Sequence, residues 1–104
     1  MWYPGTYWIQ LGAKNNFDVA LRDGWLSIDD KYGIHEVAPE KWSVVDLQTG
    51  ISMATVHSKL AGMLFAEKQD ADMEQFRATQ EYKRRVNGFK KKVSEKHRPS
   101  FFRI

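Results

Sequence analysis

From Tyr82 to the end of a 104-residue chain there are nine basic residues, Lys83, Arg84, Arg85, Lys90, Lys91, Lys92, Lys96, Arg98 and Arg103, against Glu95 alone. Cations at that density do one kind of chemistry well: they neutralise phosphates, releasing condensed counterions and making the association salt-dependent. Tyr82 stands beside the Lys83-Arg84-Arg85 triplet, where a phenol can stack on a base or lie on a partner surface, and Phe101 and Phe102 give the tail two apolar anchors. Residues 1–81 carry seven Lys and Arg against twelve Asp and Glu, so an acidic body bears a basic end. The same cations have a second outlet in that body, or in another copy of it.

Bond-making chemistry has much less to work with. General acid–base catalysis needs a histidine or paired carboxylates placed against a reacting group, and a nucleophile needs a base within hydrogen-bond reach. His35, His57 and His97 belong to no spaced metal or triad motif, and each reads as a surface or capping histidine. Asp29-Asp30 and Asp70-x-Asp72 offer carboxylates to a hard cation, but loop and helix-cap roles account for both pairs. The chain has no Walker A loop, no G-x-G-x-x-G, no G-x-S-x-G and no zinc or deaminase signature. The expectation is a binding module rather than an enzyme, with no cofactor and no metal.

The elements that must hold these residues are unevenly announced. Thr6 to Leu11 reads as a strand, and Phe17 to Leu21 with Trp25 to Ile28 reads most simply as a hairpin about Arg22-Asp23-Gly24, with a helical turn over Phe17 to Leu21 the alternative that its apolar spacing leaves open. Tyr32 to Val37, Trp42 to Leu47 and Ile51 to Val56 form three β-rich runs joined by Ala38-Pro39-Glu40-Lys41 and Gln48-Thr49-Gly50, an antiparallel meander. Trp42 and Val44 share one face of the middle strand with Asp46, and Val45 and Leu47 the other with Ser43, so both faces read as partly covered and something must pack on the sheet. Ser58 caps a short helix over Leu60 to Phe65, polar Glu67 to Asp72 reads as a break, and Asp70 is a second candidate cap. A longer helix follows, with Met73, Phe76, Thr79, Tyr82, Val86, Phe89 and Val93 at three- and four-residue steps. Around its wheel Lys83 and Lys90 take one flank, Arg85, Lys92 and Lys96 the other, and Arg84 and Lys91 the back, a distribution suited to a non-specific electrostatic grip.

The fold expected is α+β: an antiparallel β-meander of three clear strands, extending to five or six, packed against a short helix and a long basic C-terminal helix. Residues 1–98 form one α+β domain and residues 99–104 a basic, apolar tail. Apolar residues at 42% and four tryptophans supply a core, while the lack of cysteine suits a reducing, cytoplasmic setting. No run approaches the roughly 20 apolar residues that span a bilayer, so no membrane partner is expected.

The run Trp42-Ser43-Val44-Val45-Asp46-Leu47-Gln48-Thr49-Gly50-Ile51-Ser52-Met53-Ala54 resembles a hairpin of small phage and mobile-element accessory proteins of unknown function, in which a W-x-V strand and a T-G turn lead into a helix. The resemblance implies an accessory protein acting in a bacterial cytoplasm, and many such proteins are stoichiometric inhibitors of host defence, anti-CRISPR proteins among them. The meander-plus-helix order is also similar to integrase-arm and ethylene-response-type DNA-binding domains. Those families present several arginines from the sheet, whereas here the strands and turns offer His35, Lys41, Ser43, Asp46 and Gln48 beside Glu36 and Glu40. The leading expectation is a binding protein for a protein or nucleoprotein complex of a bacterial host, through Tyr82, the basic helix and the tail. A direct nucleic-acid binder with weak sequence preference is the alternative, and homo-oligomerisation through acidic body and basic tail a third reading.

Overall fold

The computed structural model describes residues 1–13 and 16–97. Five antiparallel strands, β1 (Trp2–Ala13), β2 (Asn16–Ser27), β3 (Tyr32–Ala38), β4 (Lys41–Asp46) and β5 (Ile51–Val56), are followed by helices α1 (Lys59–Arg77) and α2 (Gln80–His97). Strand order in the sheet equals order in the chain, so the fold is the α+β meander expected from the sequence, with five strands and two helices. No helix among the described residues is long and apolar enough to cross a membrane.

The first hairpin departs from the sequence reading. Arg22-Asp23-Gly24 does not turn: β1 and β2 pair from Trp2↔Ser27 to Ala13↔Asn16, and these three residues lie inside β2. Gly24 is needed there for closeness, because a Cβ on it would lie 2.2 Å from the carbonyl oxygen of Ile34 on the adjacent strand. β2 meets β3 only at Trp25↔Ile34 and Leu26↔Gly33. The rest of the long hairpin swings across the sheet, and the Gln10 amide donates to the Gly50 carbonyl at 2.8 Å, bringing β1 against the β4–β5 turn.

This curl explains why β4 is apolar on both sides. Ile34, Val44 and Tyr32 pack with Ala66 of α1 in one core, flanked by Trp2, Trp25, Met63 and Met73. Val45 faces the other way, into the curl, where Tyr7 and Ile9 of β1 cover it together with Leu26 and Leu47. Ile34 and Val44 are fully buried, so truncating Ile34 to Ala costs about 2–5 kcal/mol.

Ser58 caps α1 as expected, its Oγ accepting from the Ala61 amide at 3.0 Å. The helix does not break at Glu67 to Asp72. It runs 19 residues to Arg77, because Glu67, Lys68 and Gln69 are good helix formers and neither Gly nor Pro interrupts them. Asp70 therefore caps nothing; it accepts from the Tyr32 hydroxyl at 2.6 Å and from Arg77 at 3.3 Å. The break falls instead at Ala78 and Thr79. Thr79 Oγ1 accepts from the Tyr82 amide at 3.2 Å and its carbonyl from the Lys83 amide at 3.2 Å, which starts α2.

Candidate functional site

The inner side of α2 is fixed to the curled sheet by polar and apolar contacts. Tyr82, only 3% exposed, donates its hydroxyl to Asp46 Oδ2 at 2.9 Å, and Asp46 also accepts from Thr49 Oγ1 at 2.8 Å. Burial, followed by the adjacent carboxylate, pushes the Tyr82 phenol well above its ordinary range, so it stays a neutral donor. One helical turn on, Val86 is buried, and Phe89 lies over Gly50, where a Cβ would come within 2.4 Å of its ring. Gly50 also holds φ at 70°, so the tight turn and the close ring both require glycine.

Tyr82 is therefore a correction to the sequence reading. It is not a docking ring on the surface but the pin that seats α2, as its helical spacing with Val86 and Phe89 already suggested. His35 is a second correction. It is 3% exposed rather than on the surface, its Nδ1 lying 2.7 Å from the Tyr7 hydroxyl inside the curl. Burial, then the positive charge of Arg22, holds its pKa below the ordinary histidine value. His57 is exposed. The strand residues His35, Ser43 and Asp46 are all buried, so they offer nothing for the sheet to lay on DNA.

Three acidic side chains of the body, Asp29, Asp70 and Glu74, are engaged by the body's own cations. Arg77 reaches Glu74 at 2.6 Å, Asp70 at 3.3 Å and the Tyr32 hydroxyl at 2.7 Å, while Lys31 reaches Glu74 at 3.1 Å. Burial and then the bond to Asp70 push the Tyr32 phenol up to about 12. The Tyr32 hydroxyl, ahead of Arg77 and Lys31, keeps the Asp70 carboxyl below the usual range. Among the described residues, no group of three or more His, Asp or Glu is placed to hold a metal.

The cations of α2 divide into two sets. Arg85 is paired with Glu81 at 2.9 Å, Lys96 with Asp18 at 3.4 Å, and Lys92 lies 6.0 Å from the centre of the Phe17 ring. Lys83, Arg84, Lys90 and Lys91 are exposed, and none of the four has an ion pair among the described residues. At about 100° per residue these four, with Asn87 between them, occupy an arc of about 120°. The helix is basic nearly all round in sequence, yet apart from Lys92, which lies over Phe17, its cations without an ion pair among the described residues lie on one stripe. Glu95, the one acid after Tyr82, falls just past the edge of that stripe.

Comparison with protein-family models, curated proteins and solved structures returns no match. The site is therefore characterised by its own geometry. Besides an opening at Lys83 and Asn87, two openings flank the stripe. One, about 570 Å³, is apolar and lies between Trp8, Leu47, Phe89 and Val93, with Lys90 at its rim. The other, about 400 Å³, lies between α2 and the first hairpin and includes Arg84. Arg98, Phe101, Phe102 and Arg103, together with the tail 99–104, lie outside the described residues. Of the site residues expected from sequence, the structure brings Lys83, Arg84, Lys90 and Lys91 together and assigns Arg85, Lys92 and Lys96 to contacts with the protein itself. Gln10, Phe17 and Gly88, which sequence reasoning did not select, join the second opening. Phe17 and Gln10 carry no signal of this in the sequence, since a strand reading cannot tell which hairpin residues meet a helix 70 positions later.

Proposed function

We propose that this chain is a non-enzymatic binding protein that grips the exposed nucleic-acid backbone of a bacterial nucleoprotein complex with the outer stripe of α2. The observation that carries this reading is the arc of Lys83, Arg84, Lys90 and Lys91, four exposed cations with no ion pair among the described residues. They span about 12 Å along the helix, enough to meet several phosphates, and a rigid helix sets their spacing. The inner face is held by Tyr82, Val86 and Phe89, which supports a preformed surface that loses little freedom on binding. Buried Tyr82, His35 and Ser43 pair across elements with Asp46, Tyr7 and Ser52 in turn, a pattern that fits scaffolding rather than catalysis. The hairpin's resemblance to phage accessory proteins supports a stoichiometric role, such as occupying a host defence complex.

The test is capture from bacterial lysate with and without nuclease at two salt concentrations, using wild type and a Lys83→Glu/Lys90→Glu variant. A nucleoprotein retained at low salt, released by nuclease and not captured by the variant is the expected result. Nucleic acid recovered with no accompanying protein would favour the rival, in which nucleic acid alone is the partner; under either reading a bare strand should bind, and if all four cations engage, log affinity should fall with log salt at a slope of about −3 to −4. Capture of a protein that survives nuclease and ignores the double reversal would overturn the reading.

A further inference from the structure

The opening beside Arg84 has a chemistry of its own. It measures about 400 Å³, within the roughly 300–1,000 Å³ typical of small-ligand sites, and is lined by Gln10, Phe17, Ile51, Arg84, Arg85 and Gly88, with the Glu81 carboxylate, held by Arg85 at 2.9 Å, on the same lining. Arg84 belongs to the phosphate-facing stripe, so a backbone held there delivers its next unit to the mouth of this cleft. Phe17 supplies an aromatic ring, and the Gln10 side-chain amide supplies a donor and an acceptor, its backbone amide being spent on Gly50. Arg85 contributes a buried Nε with no hydrogen-bond partner in the structure.

Gly88 is the second observation. A glycine inside a helix weakens it, and packing excuses such a residue when a side chain would collide. At Gly24, Gly33 and Gly50 a Cβ would collide; at Gly88 it would meet nothing within 4 Å. The fold has no steric need for glycine at this position. What its bare backbone does is leave the floor of the cleft open beside Arg84 and Arg85.

We infer that this cleft receives a single nucleotide, its base against Phe17 and its phosphate against Arg84, so that the α2 surface selects single-stranded over duplex nucleic acid. The inference rests on the phosphate-binding reading of α2 given above. A base paired and stacked in a duplex cannot enter, whereas a splayed base in a single strand can.

The experiment compares wild type with Gly88→Ala and Gly88→Gln, by thermal melting and by fluorescence anisotropy with a short labelled single strand and a duplex of the same length. Both variants should melt higher than wild type, since both residues are better helix formers and the space is open. Both should nevertheless bind the single strand about tenfold more weakly, the size of one lost base contact, and bind the duplex unchanged. Variants that bind the single strand like wild type, or a wild type that binds both forms equally, would overturn the nucleotide site while leaving the stripe in place. A wild type that binds neither form overturns the site and the phosphate-binding reading together.

Discussion

Tyr82 on α2 and His35 on β3 are both polar side chains whose burial has a price in stability. Tyr82→Phe keeps the ring over the sheet but removes the donor to Asp46, leaving a buried carboxylate with less support. The expected loss is about 1–3 kcal/mol in urea unfolding, with phosphate affinity of the folded protein unchanged. His35 gives a pH signature. Its folded pKa lies below the value near 6.5 that it has unfolded, so between the two the unfolded chain binds a proton that the native chain does not. Its contribution is full above the unfolded pKa and falls as pH drops from about 6.5 toward the folded pKa. His35→Gln cannot titrate, so its urea midpoint should change less between pH 7 and pH 5 than that of wild type. Neither burial was fully legible. Helical spacing marked Tyr82 as a core residue, but its basic neighbours argued for the surface; His35 sits beneath a hairpin whose path depends on long-range packing.

The three middle strands could be read because β-rich runs alternated with turn residues at Pro39-Glu40 and Thr49-Gly50. The hairpin and the helix break could not, for a shared reason: residues with two uses were assigned the more familiar one. Arg22-Asp23-Gly24 is turn-competent, yet Gly24 serves the close approach of β2 to β3. Polar Glu67 to Asp72 resembles a linker, yet its Asp70 carboxylate serves Arg77 and Tyr32 while the helix continues. The apolar period from Met73 to Val93 passes across Ala78 and Thr79 without a fault, so the real boundary left only Thr79 followed by Glu81 as a capping hint. Thr79→Ala should therefore cost about 1 kcal/mol, read in thermal or urea unfolding. The loss should grow when the substitution is combined with Tyr82→Phe, because both act on the seating of α2.

At the scale of the molecule, the acidic body and basic end do not simply cancel. Asp70 and Glu74 are satisfied by Arg77 and Lys31, so most of the helix charge stays outward. Charge reversal should separate the two sets of cations. Lys83→Glu with Lys90→Glu should abolish retention on a polyanion at physiological salt without shifting the melting temperature by more than a degree or two, as expected for exposed positions. Lys92→Glu with Lys96→Glu, which face Phe17 and Asp18, should weaken retention far less. Composition alone revealed that a basic surface existed; which cations remained available depended on where the first hairpin came to lie.

The identity between strand order and chain order has a temporal consequence. Each strand pairs with the one just made, so contacts are mostly local and folding should be fast for a protein rich in sheet. On a ribosome the meander can assemble as it emerges, and α1 can close over it. The last helix has nowhere to land until Gly50 and Asp46 are in position to receive Phe89 and Tyr82. The basic stripe is thus displayed in its final geometry only after the sheet before it has folded, which makes its appearance a late report on the folding of the sheet beneath it.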